Sequence, residues 1–179
     1  MKKNILFILM CFILSNCNNY LDNYQNVRKL NIIIFNGWDV ESRDNGKTYS
    51  FSYYYYNNDS IISPYLNYER IYFHVRNHKI ILPAEYEKDS LKFYKNLSSI
   101  LNIENELIKI EINELIKSFY KTKAESLMSH RYRNSVISLR YKKFVLTYYP
   151  DNYKNEKKHE YIKIDSNWYY SPIPARRNM

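Results

Sequence analysis

The sequence predicts an α+β fold: an antiparallel sheet of two or more hairpins with two central helices packed on one face. Strand-like alternation of apolar and polar residues occurs towards both ends of the chain, whereas a 3.6-residue apolar period runs through residues 90–122. Turn-forming residues separate the neighbouring strand-like runs. The order of strands, helices and strands is typical of the α+β class. Because the chain shows no repeat or internal linker, we expect a single domain over residues 28–174.

The first predicted hairpin joins strands at residues 31–42 and 47–56. Asn45-Gly46 lies between them, and Asn and Gly best tolerate the positive φ angles of a type I′ turn. The second strand ends in four consecutive tyrosines, residues 53–56. Because alternate side chains of a strand point to opposite faces, two rings should face the core and two should face outward. Outward rings are suited to stacking on sugars or bases, although tyrosine is also simply a good strand former.

A second hairpin is predicted over residues 70–83. Apolar and polar side chains alternate from Ile71 to Arg76, which gives the strand one apolar face. Asn77-His78 provides the turn, and Pro83 ends the returning strand because proline cannot donate to the ladder.

Two helices are predicted in the middle of the chain. The first covers Ser90–Leu101, with Asp89 as its N-cap. The second covers residues 105–122; residues 108–112 also alternate as a strand would, but the segment's length and continuing 3.6-residue period favour a helix. The apolar stripe of the first helix consists of Leu91, Tyr94, Leu97 and Leu101, and that of the second of Ile108, Ile112, Leu115, Ile116 and Phe119.

The last third of the chain returns to strands. The turns are Lys142-Lys143 in the first pair and residues 165–167 in the second. Trp168 is expected to pack in the core, and residues 175–179 are predicted to form a disordered tail. The predicted strands are residues 135–141 and 144–149, then residues 160–164 and 168–170.

The N-terminus has the pattern of an export signal. Lys2 and Lys3 precede an apolar run over residues 5–14, which is too short for a membrane-spanning helix of roughly 20 residues. A positive start followed by roughly 7–15 apolar residues is typical of a secretory signal peptide. The pair of small residues that a soluble-secretion cleavage site requires is absent before Asn18.

The tetrapeptide Leu14-Ser15-Asn16-Cys17 resembles the lipobox of bacterial lipoproteins. The resemblance covers residues 1–17 and implies that the signal peptide is removed before Cys17. In that family the cysteine carries a diacylglyceryl group and an N-acyl chain, and several acyl chains together make a firm membrane anchor. No other cofactor is predicted. The alternatives are an uncleaved N-terminal anchor and a cysteine that occurs here by chance.

The resemblance also implies the boundaries of the signal peptide and the tether, and the membrane in which the protein is anchored. Residues 1–16 are predicted to be the signal peptide, and residues 17–27 the lipidated cysteine with a flexible, asparagine-rich tether. Asn18, rather than Asp, follows the cysteine. The resemblance therefore favours the outer membrane of a bacterial envelope, facing the periplasm, over the inner membrane.

Composition excludes several kinds of site. The only cysteines are Cys11 and Cys17. Loss of the first with the signal peptide and lipidation of the second leave no thiol for a disulfide or a metal site. The only glycines, Gly37 and Gly46, cannot make a Gly-rich phosphate loop or a G-x-S-x-G nucleophile motif.

No catalytic or metal-binding constellation emerges from the remaining residues. His74 and His78 have the spacing of a helical zinc pair, but the glutamate of the H-E-x-x-H motif is missing and the segment is predicted to be a hairpin. The acids on or near the second helix are interleaved with lysines, which indicates a solvated face; they are Glu104, Glu106, Glu111 and Glu114, with Lys109 and Lys117.

The formal net charge is +9 at pH 7, and the lysines and arginines are spread along the chain. A positive face suits an anionic membrane or envelope polymer, although a merely solvated surface is the simpler explanation, and nucleic acid is not expected as a partner. The sequence thus predicts a non-enzymatic, membrane-anchored envelope lipoprotein with a binding or structural domain. The alternatives are an immunity-type lipoprotein that binds an incoming toxin and an envelope hydrolase.

Overall fold

The computed structural model describes residues 20–56, 68–130, 136–150 and 161–173. Cys17, the predicted signal peptide and the predicted tail at residues 175–179 lie outside these ranges. The described strands are β1 (Trp38–Arg43), β2 (Thr48–Tyr56), β3 (Tyr68–Arg76), β4 (Lys79–Ile81), β5 (Ser126–His130), β6 (Val136–Arg140), β7 (Phe144–Tyr148), β8 (Ile162–Lys163) and β9 (Trp168–Pro172). The described helices are α1 (residues 20–27), α2 (Ser90–Leu101) and α3 (Ile108–Thr122).

These strands form one antiparallel sheet in the order β4-β3-β2-β1-β5-β6-β7-β9-β8. Strands β1 to β4 run outward from the centre, and α2 and α3 then lead the chain back to β5, which pairs with β1. The predicted α+β class with an antiparallel sheet is confirmed, and the sheet is larger than the few predicted hairpins.

All three helices pack on the same face of the sheet, which we call the helix face. The strand residues in register across this face are largely apolar and buried, and they include Val40, Phe51, Phe73, Leu127 and Leu139. Each helix contributes an aromatic contact to it: Tyr24 of α1 with Trp168, Phe93 of α2 with Phe73, and Phe119 of α3 with Phe51. No described helix covers the opposite face, which we call the open face.

The two central helices agree with the sequence prediction, with one exception in the stripe of α2. The Asp89 side chain accepts a hydrogen bond of 3.0 Å from the Lys92 N–H, which confirms the predicted N-cap. All five residues of the stripe predicted for α3 are buried. In α2, Leu97 is buried as predicted, but Leu91 is 72% exposed and Phe93, which was not part of the predicted stripe, is buried. Tyr94 and Leu101 are partly buried against the core. The predicted stripe is therefore wrong only at Leu91, because the larger ring of Phe93 occupies the core at this end of the helix.

The tether predicted over residues 17–27 is wrong for residues 20–27, which form α1. Tyr24 and Val27 are buried in the main core, and the Tyr20 ring lies 4.4 Å from that of Tyr170. Apolar spacing of i, i+4 and i+7 across these three residues gives the segment a helical face despite its many asparagines.

The strand predicted over residues 31–42 begins later than expected, because Ile32–Phe35 is a 3-10 helix. In such a helix residues three apart share a side; accordingly Ile32 and Phe35 are buried while Ile33 is exposed. Gly37, with φ of +82°, then leads the chain into β1. Strand β5 was not predicted at all.

The turn of the first hairpin is longer than the predicted Asn45-Gly46 pair: residues 44–47 lie between the last paired residues, Arg43 and Thr48, and Asp44 shares the positive φ of Asn45 and Gly46. The remaining hairpins and Trp168 match the predictions. Asn77 and His78, both with positive φ, form the turn between β3 and β4. Lys142-Lys143 lies between β6 and β7. Trp168 is buried, as expected for a core residue.

Candidate functional site

The structure separates the residues that the sequence singled out. The Tyr53 ring is buried on the helix face, 5.2 Å from Trp38, whereas Tyr54 lies on the open face opposite Arg70. The Tyr55 hydroxyl donates a hydrogen bond of 2.6 Å to Glu69. The tyrosine run therefore divides between the two faces as a strand requires, and only part of it is available to a partner.

The two histidines considered for zinc lie in different settings. His74 lies on β3, whereas His78 is in the following turn, with its ring 4.1 Å from that of Tyr120. Within the described residues, no group of three His, Cys, Asp or Glu side chains is placed to hold a metal ion. None of the helices in the described ranges is long and apolar enough to cross a membrane.

A cluster of polar and aromatic side chains stands on the open face of β3. Arg70, Tyr72 and His74 occupy alternate positions and therefore share this face. The Arg70 guanidinium lies 4.7 Å from the centre of the Tyr72 ring, a cation–π contact. The Tyr72 and His74 rings are 5.5 Å apart. Together with Arg43 of β1 we call these residues the β3 patch.

Arg43 belongs to this patch because its charge acts on His74. Burial lowers the pKa of His74, and the positive charges of Arg43 and Arg70 lower it further. The imidazole is therefore neutral near pH 7. Its Nδ1 atom is buried and has no hydrogen-bond partner in the structure. The patch thus combines a region of positive potential with a buried nitrogen that has no hydrogen-bond partner among the described residues.

The arginines of the patch differ from their neighbour Arg76. Arg76 forms an ion pair of 3.0 Å with Asp44 and donates a hydrogen bond from Nε to Thr48. In the part of the chain that the structure describes, Arg43 and Arg70 form no ion pair or hydrogen bond through their side chains. Both are exposed, so their guanidinium groups are available to a negatively charged ligand.

Small side chains form the sheet surface beside the patch. Ser50 lies in register next to His74, and Ser52 lies next to Tyr72. These serines are only 3% and 6% exposed, so the longer side chains around them dominate the surface. Across the sheet, Met128 of β5 is 51% exposed on the same face. The open face therefore offers arginine, tyrosine and methionine side chains to solvent.

A cavity of about 280 Å³ continues the patch around the outer edge of β3. Strand β4 pairs with only the last three residues of β3, and Pro83 then ends the pairing. Beyond β4, the cavity lies between β3 and α2, and Arg70 and Tyr72 line it together with Tyr86 and Asn96. The Asn96 side-chain amide donates to the Tyr86 hydroxyl at 3.3 Å.

Sequence reasoning identified the polar side of β3 but not this cluster. The alternation over residues 70–76 was a sufficient signal for the shared position of Arg70, Tyr72 and His74. The position of Arg43 near the β3 residues depends on the register of β1, β2 and β3. Alternation within one strand does not reveal that register.

No protein-family model, no curated protein and no solved structure matches this chain.

Proposed function

We propose that this protein is a bacterial envelope lipoprotein, anchored through lipid on Cys17, whose domain binds a protein partner with the open face of its sheet and has no catalytic activity of its own. The observation that carries the binding role is the β3 patch, where Arg70 lies beside Tyr72 and Arg43 lies two strands away on the same face. Neither arginine has an ion-pair partner among the described residues. Arg, Tyr, Trp, Phe and Met are the residues enriched in protein–protein interfaces. The exposed Met128 extends that chemistry across the same face.

The position of α1 supports a close attachment to the membrane. Packed structure is already present at Tyr20, whose ring contacts Tyr170. Three residues of extended chain span at most about 11 Å, which is the reach from Cys17 to Tyr20. A lipid on Cys17 would therefore hold the domain close to the bilayer surface rather than at the end of a long flexible tether. By the identity of Asn18, we place it on the outer membrane, facing the periplasm.

A second candidate is the immunity-type lipoprotein, which is a special case of the same binding role. Its partner would be a toxin entering the envelope. No described helix covers the open face, and its exposed Arg43 and Arg70 have no ion-pair partner among the described residues, which favours this candidate. The two candidates share one surface and differ only in the identity of the partner. Binding of a purified toxin to the β3 patch would select the second.

The anchor is tested by replacing Cys17 with Ala and following labelled palmitate. Incorporation into the protein should fall to background, and the chain should keep the mass of the precursor, because the acceptor sulfur is gone. Cys11→Ala is the matched control, since it also removes one thiol from the N-terminal segment, and it should leave labelling intact. Undiminished labelling of the Cys17 variant would refute the anchor.

A further inference from the structure

We propose that the partner presents an acidic protein surface, whose carboxylates bind Arg43 and Arg70 on the two sides of His74. This inference rests on the proposed function in that it takes the open face as the binding surface. It adds the chemistry of the partner and names the residues that recognise it.

The proposal depends on Arg43 and Arg70, which have no ion-pair partner among the described residues. A guanidinium group binds a carboxylate through two parallel hydrogen bonds, which gives both charge and geometric selectivity. Arg43 and Arg70 are exposed and have no carboxylate partner among the described residues. Of the acids on the same face, Asp39 accepts a hydrogen bond of 2.9 Å from the Ser129 N–H, and Glu41 is exposed and forms no ion pair within the described ranges.

His74 provides an independent observation. Its Nδ1 atom is buried without a hydrogen-bond partner, and buried polar atoms are normally paired. Along the strand direction it lies between the two arginines, since Arg43 is in register with Arg76, beyond His74, and Arg70 lies on the other side of His74 on β3. A ligand that spans the arginines would pass over His74, and it could pair with Nδ1 once the side chains that bury this atom move aside.

The size of the patch indicates a partner with several negative groups. A strand rises about 3.4 Å per residue, so Arg70 and His74 are roughly 14 Å apart along β3. Arg43 lies two strands away, which adds about 10 Å across the sheet. A single carboxylate or phosphate cannot reach both arginines. Tyr72 and Met128 add aromatic and apolar area, which suits a folded protein surface better than a phosphate polymer.

Binding to an acidic polypeptide tests the inference. The full-length chain, purified in detergent, is titrated against fluorescent poly-L-glutamate at low salt. The double variant R43A/R70A should weaken binding at least tenfold, while K117A/K121A, which removes the same charge from exposed positions on α3, should change it less than twofold. Added salt should weaken the wild-type interaction, since exposed charges are screened. Equal losses in the two double variants would overturn the proposal.

Further measurements identify the ligand and distinguish failure of this inference from failure of the proposed binding role. R43K/R70K keeps the charge but loses the fork geometry, so it should recover only part of the affinity. Inorganic polyphosphate that binds more tightly than poly-L-glutamate would overturn the acidic-protein assignment. In cells, a photoreactive residue placed at Met128 tests whether a protein contacts the open face. A cross-linked protein together with no binding of poly-L-glutamate would support the open face as an interface and refute the acidic character of the partner. Melting temperatures of all three double variants close to that of the wild type would show that the fold is intact.

Discussion

At the scale of single residues, the two glycines occupy similar backbone conformations in different surroundings. Gly37 has φ of +82° and Gly46 has φ of +85°. A side chain at Gly46 would meet nothing closer than 3.9 Å, whereas a Cβ at Gly37 would lie 2.6 Å from the Tyr53 ring. That ring is buried against Trp38 and cannot easily move. Gly37 is therefore required for both its conformation and its lack of a side chain.

We expect Gly37→Ala to destabilise the protein more than Gly46→Ala. The positive φ alone costs about 1–2 kcal/mol for an L-residue, and both variants carry this penalty. Overpacking against Tyr53 adds about 1–3 kcal/mol at Gly37 only. The melting temperature should fall by roughly 2–8 °C for Gly46→Ala and by clearly more for Gly37→Ala, using about 2–4 °C per kcal/mol. Equal falls in melting temperature for the two variants would show that the Tyr53 ring moves aside and that overpacking adds no cost at Gly37.

At the scale of elements, local signals predicted α2, α3 and the hairpins. Each of these depends on residues that are near one another in the sequence: a cap such as Asp89, a 3.6-residue stripe, or a turn such as Asn77-His78. Periodicity and turn chemistry are properties of short windows, so they are visible without tertiary information.

Strand β5 could not be predicted in the same way, because its structure depends on distant partners. Its residues include two serines and no β-branched residue, and it is a strand because β1 and β6 flank it. Its connection to β1 uses side chains: the Gly37 N–H donates to the Ser129 hydroxyl, and the Ser129 N–H donates to the Asp39 carboxylate, both at 2.9 Å. The helix α1, in contrast, had a usable signal in the spacing of Tyr20, Tyr24 and Val27.

If α1 belongs to the domain, truncating its buried face must destabilise the fold. Val27 is fully buried, so Val27→Ala should lower the free energy of unfolding by about 2 kcal/mol through lost burial and the cavity left behind. Asn26→Ala, one position earlier and exposed, is the matched control and should have little effect. Urea denaturation measures both variants. A Val27→Ala variant as stable as the control would mean that α1 is only loosely attached.

At the scale of the whole molecule, the placement of the three described helices on one face of the sheet creates the candidate site. Apolar strand residues are covered by the helices, and the alternate positions are left on the open face. The polar character of that face could be predicted from β3 alone. The convergence of Arg43 and Arg70 on His74 could not, because it requires the register of three strands.

Asp165 joins the beginning of the described chain to its end. The Tyr24 hydroxyl of α1 donates a hydrogen bond to its carboxylate, as do the Asn167 and Trp168 N–H groups of the β8–β9 turn. Burial alone would raise the pKa of Asp165, but these hydrogen bonds and the charge of Arg28 outweigh it and hold the pKa below its usual range. The ionised carboxylate therefore stabilises the contact between α1 and the turn.

This contact should make the stability of the protein depend on Asp165 in a pH-dependent way. A carboxylate whose pKa is lowered by folding stabilises the native state above its unfolded pKa of about 3.9, and the contribution disappears as the pH falls through the lower folded value. Asp165→Asn should therefore lower the free energy of unfolding by about 1 kcal/mol at pH 7, since hydrogen bonds to a charged group become neutral ones. The gap between variant and wild type should narrow progressively below about pH 4. Asp22→Asn, an exposed change on α1, should leave the pH profile of the wild type unaltered. A gap for Asp165→Asn that stays constant into acid would show that the carboxylate's charge has no part in holding α1 to the sheet.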